Sequence, residues 1–192
     1  MKILKVNELD KAVEALQNGQ TIVFPTETSY GLGCDAANQE AVDKIFKIKG
    51  RKSDKPLLVV VPTVEMAKKY LAWNDLLEDL SGKYWPGPLT IVGEYNQKHN
   101  LAVGVVAANN TIAVRVTHFP LTKFLSAQLD RPLVATSANL ADTGDIYDSK
   151  KITIKPGILI DGGELPRNPP TTIVSVINNN LQILRQGQIK IN

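Results

Sequence analysis

The sequence predicts an α/β protein built on an open, twisted sheet of mixed strand direction with helices packed against it. Three observations carry this prediction. Through the first half, short apolar runs alternate with segments of helical spacing, as strand–helix units do. In the second half several apolar runs follow one another directly, so strands there pair without a helix between them. "PLLVVVP" (56–62) is a continuous apolar run between prolines, which marks a strand covered on both faces.

Taken in order, Asn7 is placed to cap a first helix whose Leu9, Ala12, Val13 and Leu16 share one face, and "NGQ" ends it. "TIVFP" (21–25) is a short buried strand closed by Pro25. A loop, "TETSYGLGCDAAN", then leads to a helix starting near Gln39, with Val42, Ile45 and Phe46 inside and Gly50 as its stop. After the strand at 56–62 come helical segments at 63–72 and 74–84. "WPGPLT" breaks that pattern and "LTIVGEY" resumes as strand. The second half reads as strand "TIAVRV", helix "LTKFLSAQLD", strand "LVATSA" (133–138), then strands "GILIDGG" and "TTIVSVIN". "NNN" (178–180) is a hairpin turn into a return strand, "LQILRQG". No repeat, low-complexity tract or linker interrupts the chain, so a single domain spanning 1–192 is expected.

Composition narrows the function. With 43% hydrophobic and 21% charged residues the chain has the profile of a folded soluble protein. It contains no signal-like apolar segment and no run of membrane-spanning length, and its single cysteine, Cys34, suits a reducing cytoplasm. Charge is concentrated. Lys44, Lys47, Lys49, Arg51, Lys52 and Lys55, offset by Asp54, give +5 within residues 44–55, against +3 for the whole chain.

Several chemistries lack their residues. His99 and His118 have no Cys or acid at metal-ligand spacing, so no zinc site is expected. There is no G-x-S-x-G elbow and no G-x-x-x-x-G-K-[ST] loop. "GLGCDA" (31–36) matches the dinucleotide fingerprint in letters, but "TETSY" separates it from the preceding strand, so its glycines serve a tight loop. Cys34 reads as a small packing residue.

What remains is a polar constellation at strand ends: "PTETSYGLG", "KGRKSDK" and "TSANLADTG". Thr26, Thr28, Ser29, Thr136, Ser137 and Asn139 can donate to anionic oxygens, and Lys49 and Arg51 add charge beside a compact Gly50. Arg115 is alone on an apolar strand, a costly placement unless it faces a bound anion or a partner acid. Lys44, Lys47 and Lys52 read as a solvated face. The residues by themselves point to a phosphate-containing small ligand.

"FPTETSYGLGCDA", "AVDKIFKIKGR", "WPGPLT", "TIAVRV", "SAN", "DGG", "TTIVSV" and "ILRQG" stand in the order and spacing of the YrdC-like threonylcarbamoyl-AMP synthases. The sequence resembles the short, single-domain (TsaC-type) form of that family from about residue 8 to residue 187. The resemblance implies an open α/β fold with a basic concave pocket. It implies a cytoplasmic nucleotidyltransferase that makes threonylcarbamoyl-AMP and pyrophosphate from L-threonine, bicarbonate and ATP. A partner transferase then passes the group to tRNA, and Mg2+ arrives with the ATP.

Carried over by position, Lys49, Arg51, Ser137 and Asn139 form a polar tetrad. Arg51, Lys55, Thr111, Ser137 and Arg185 lie on the ATP side. Thr28, Arg115, the backbone at Ala135 and Thr171 surround threonine, with Arg115 on its carboxylate. Three positions depart from the family pattern: Lys55 replaces a common Asn, Val60 replaces a His, and Asp145 stands where relatives often have a hydroxyl. Two other functions stay open. One is a paralogue with a different acceptor. The other is a double-stranded-RNA or tRNA binding module, against which stand the 11 aromatic residues and the single basic cluster.

Overall fold

Ile22–Pro25 (β2) is buried at every position and turns back into Tyr30–Gly33 (β3), its antiparallel partner. The segment expected as a loop therefore contains a strand. Two glycines among its four residues hide it from strand propensity, and the close packing explains one of them. A Cβ on Gly33 would lie 2.1 Å from the Val134 carbonyl oxygen, so only glycine fits. These coordinates come from a computed structural model that describes residues 1–51, 55–140 and 144–191.

Lys2–Lys5 (β1) and Ile158–Asp161 (β9) complete this side, together with Thr136–Ser137 (β8), giving a five-stranded sheet in the order β1-β9-β2-β3-β8. Leu9–Gln17 (α1) follows β1. Glu8, not Asn7, sits at its N-cap, and the Glu8 carboxylate instead accepts from Lys5 N and Lys11 Nζ. Gln39–Lys49 (α2) forms as expected. Asn38 Oδ1 accepts from Ala41 N at its start, and Gly50 ends it at φ 59°, a conformation that favours glycine.

A second sheet holds Val59–Val61 (β4), Leu89–Glu94 (β5), Thr111–Val116 (β6), Leu133–Val134 (β7), Thr172–Ile177 (β10) and Asn180–Arg185 (β11), in the order β11-β10-β5-β6-β4-β7. Val64–Lys68 (α3), Asp75–Tyr84 (α4) and Pro120–Leu129 (α5) are the remaining α-helices among the described residues. The β10–β11 hairpin turns through Asn178 and Asn179, both at positive φ, as the "NNN" stretch predicts.

The expected class holds, mixed α/β with flanking helices, but the strands are shared between two sheets rather than gathered in one. "LVATSA" is where they meet. The chain leaves the second sheet after Val134 and joins the first at Thr136, and Ala135 N donates to Leu58 O between them. Apolar side chains fill both sides of this junction. Phe24, Leu16, Leu125, Leu129 and Val60 form one cluster under α1 and α5, and a larger cluster joins β3, α2, β4, β5 and β6. Each fully buried Leu or Phe contributes roughly 1.5–3 kcal/mol. Among the described residues no helix is long and apolar enough to cross a membrane.

Candidate active site

The β2–β3 turn is built by Thr26, whose Oγ1 donates to Ser29 O at 2.7 Å and accepts from Thr28 N and Ser29 N. This presents Thr28 at the end of the β2–β3 pair of the first sheet. Opposite it, β6 brings up Ala113 and Arg115, Thr171 stands just before β10, and β11 ends on Arg185. The junction supplies Ala135, Thr136 and Ser137, and the segment after α2 supplies Arg51. These residues line one cavity of about 490 Å³, within the range of small-ligand sites.

Of the residues expected at a site, Thr28, Arg51, Arg115, Ala135, Ser137, Thr171 and Arg185 line this cavity, as do the candidate donors Thr26, Ser29 and Thr136. Lys49 and Asn139 stand behind it. Lys49 is 3% exposed, and its ammonium donates to Ser137 O at 2.6 Å, Asn139 O at 2.9 Å and Asn139 Oδ1 at 3.0 Å. Those bonds match the three donors of an ammonium. Ser137 Oγ donates to Asn139 Oδ1 at 2.6 Å, and Asn139 Nδ2 donates to Gly144 O. Lys49, Ser137 and Asn139 are thus one connected unit that shapes the cavity wall. Burial first and the charge of Arg51 second depress the Lys49 ammonium to about 8, with Asp145 acting in the opposite sense.

Lys55 and Thr111 are not in the lining. Lys55 is exposed, and its carbonyl accepts from Arg51 Nε at 3.1 Å. Thr111 begins β6 on the same face as Ala113 and Arg115, but its hydroxyl donates to Asn109 Oδ1. Val60 is fully buried in the cluster against α5, in register with Arg115. Lys44 and Lys47 are exposed on α2, as expected, while Lys52 lies outside the described residues.

Arg185 donates from Nε and Nη2 to Thr171 O and from Nη2 to Thr171 Oγ1. Burial lowers its guanidinium, and the charge of Asp145, which lines the same cavity, opposes that. The costly Arg115 has its acid inside the protein. Glu27 Oε1 accepts from Arg115 Nη1 at 2.5 Å, so the alternative in which a ligand alone compensates this charge is corrected. Burial lowers Arg115 most, Glu27 raises it, and Arg185 lowers it again. Sequence reasoning named Thr26, Thr28 and Ser29 but passed over Glu27. Its signal was an acid within a cluster otherwise suited to anions, in a chain whose buried arginine needed one.

The chain is a mixed α/β protein with a cavity between its two sheets, and Arg51, Arg115 and Arg185 stand at separate points of the wall, an arrangement that suits an anionic ligand. The Sua5/YciO/YrdC family model, described as telomere recombination, matches residues 14–187, and the chain belongs to that family. It is 32% identical over 189 residues to a threonylcarbamoyl-AMP synthase of Vibrio vulnificus, covering 95% of this chain and 100% of that one. A threonylcarbamoyl-AMP synthase of Bacillus subtilis is 30% identical over 197 residues, and there the chain spans 54% of the relative's length. The crystal structure of P. abyssi Sua5 complexed with L-threonine superimposes with a TM-score of 0.88 at 27% identity, covering 97% of this chain and 58% of that one.

Proposed function

We propose that this protein is a cytoplasmic nucleotidyltransferase that forms L-threonylcarbamoyladenylate and pyrophosphate from L-threonine, bicarbonate and ATP, as a single domain over 1–192. The product serves threonylcarbamoyladenosine formation in tRNA through a partner transferase. The observation that carries the reading is a single cavity with a carboxylate-paired arginine at one point and Arg51, Ser137 and Arg185 at others, in a member of a family whose curated relatives bear that activity.

Bicarbonate takes up a proton and gives CO2 and water, and the neutral amine of threonine adds that CO2 to give a carbamate and release a proton. A carbamate oxygen then attacks the α-phosphorus of ATP, and the bond from that phosphorus to the α,β-bridging oxygen breaks to release pyrophosphate. The carbamate is already anionic, so the protein's work is to hold two anions together in line and to stabilise the charge that moves. In this reading Arg115, Thr28, the backbone at Ala135 and Thr171 hold threonine. Arg51, Ser137 and Arg185 hold the phosphates, with Lys55 and Thr111 at the nucleotide's outer edge. Lys49 and Asn139 keep Ser137 in place. In this reading Mg2+ enters as part of the nucleotide substrate.

Pyrophosphate release is expected with all three substrates and to stop when L-threonine or bicarbonate is omitted. Equal turnover with glycine or serine replaces this reading by a paralogue with another acceptor. Tight RNA binding that collapses with added salt replaces it by an RNA-binding module.

The reading also fixes a pH limb. Lys49 titrates near 8 when folded and 10.5 when unperturbed. Between those values the unfolded chain binds more protons, so this group makes folding more favourable as pH rises through the window. Turnover behaves oppositely, because the protonated ammonium that satisfies three acceptors is lost above about 8. A rate profile that declines with an apparent pKa about 8, without a fall in melting temperature from this group, is the expected outcome. A rate that stays flat through the window removes Lys49 from the mechanism.

A further inference from the structure

Glu27 and Arg115 are joined at one corner. Glu27 Oε1 accepts from Arg115 Nη1 at 2.5 Å, while Glu27 Oε2 and Arg115 Nε are buried without a hydrogen-bond partner. Both side chains are more than nine-tenths buried, at 7% and 4% exposure. The acid is fixed in place by its neighbours. Its carbonyl accepts from Asn168 Nδ2 at 2.8 Å, and the Thr26 turn pins it on either side. Arg115 lines the same cavity as Arg185, yet the two carry different charge environments. Arg185 meets the oxygens of Thr171, and Asp145, which lines the same cavity and favours its charged form, stays beyond ion-pair distance. Arg115 is half of a neutral pair.

We propose that Glu27 is a specificity-determining residue that neutralises Arg115, so that this point of the cavity accepts the carboxylate of an uncharged-side-chain amino acid and refuses a phosphate chain. Arg115 lines the cavity, so the part of its guanidinium that the Glu27 contact does not use faces one incoming carboxylate. A zwitterion adds no net charge there, and its ammonium is compatible with the nearby Glu27. A phosphate chain brings several negative charges against a buried carboxylate, where water and salt screen little, and is turned toward Arg185. The amino acid's identity rests on the synthase reading, whereas the partition of charge does not.

Calorimetric titration of the full chain with inorganic pyrophosphate and L-threonine, separately and together, tests this. Wild type is expected to bind one pyrophosphate, with an affinity unchanged by saturating L-threonine. Glu27→Gln is expected to bind a second pyrophosphate that competes with L-threonine, and Glu27→Gln/Arg115→Gln to lose that second site. A folded Glu27→Gln that binds a single pyrophosphate indifferent to L-threonine overturns the proposal. Competition between the two ligands in wild type, or no pyrophosphate binding at all, also overturns it, and this arm decides the matter if Glu27→Gln does not fold. Wild type that binds pyrophosphate but not L-threonine refutes the synthase reading, and the pyrophosphate stoichiometry of Glu27→Gln still decides the partition.

Discussion

Arg115→Met is expected to lower the stability of the ligand-free protein by about 3–5 kcal/mol, because Glu27 is left buried without its cation. The pair is 2.5 Å apart and nearly fully buried on both sides, so water cannot replace the guanidinium without opening the β2–β3 turn. Pairing the change with Glu27→Gln should recover much of the loss, since both charges are then gone and the shape is nearly kept. Denaturant unfolding of the two single variants and the double variant measures the coupling. A single-variant loss of less than about 1 kcal/mol, the scale of an exposed pair, would mean that solvent reaches this pair. L-threonine binding to Arg115→Met should weaken by about 2–5 kcal/mol, the scale for losing one partner of a buried charge pair.

Lys49→Ala is expected to leave the fold recognisable and to cut turnover by roughly 10²–10³, the scale seen when one donor at a reacting centre is lost. Its effect is transmitted. Removing the ammonium strands Ser137 O, Asn139 O and Asn139 Oδ1, and the Ser137 hydroxyl is anchored to that same amide oxygen. Lys49→Arg should not rescue it, because a planar fork cannot meet three acceptors that converge on one point. Lys44→Ala is the control. Its ammonium reaches Gly19 O from an exposed position on α2, and turnover should hardly change. Equal losses at Lys44 and Lys49 would point to a diffuse charged surface instead of a built wall.

Much of the architecture is legible in local pattern. α2 is written out completely, with Asn38 and Gln39 at its start, Val42 and Ile45 inside and Gly50 in the left-handed conformation at its end. The β10–β11 hairpin follows from its asparagines, and β4 from its valines. The errors have physical causes as well. β3 is half glycine, since its neighbours approach too closely for side chains, and so it reads as loop. β1 has one buried position in four and carries little apolar signal. At α1 the cap falls to Glu8, whose longer side chain reaches back to Lys5 N. At the site, the polar clusters at strand ends were visible in the sequence, and ten of the candidate residues it singled out line one cavity.

By itself the sequence determined which residue types were available: a buried arginine that needed an anion, a lysine and an arginine flanking a helix-ending glycine, hydroxyls at strand ends, and the ordered motifs of one family. Tertiary structure alone decided which of them meet. Arg115 found Glu27, 88 residues away, and Lys49 found Asn139, 90 residues away. "LVATSA" became two strands of two different sheets because Ala135 is where β7 and β8 part. Periodicity and capping act over one or two turns of chain and can be read there. An ion pair or an ammonium with three acceptors depends on burial and distance between remote segments, and these exist only once both sheets have packed.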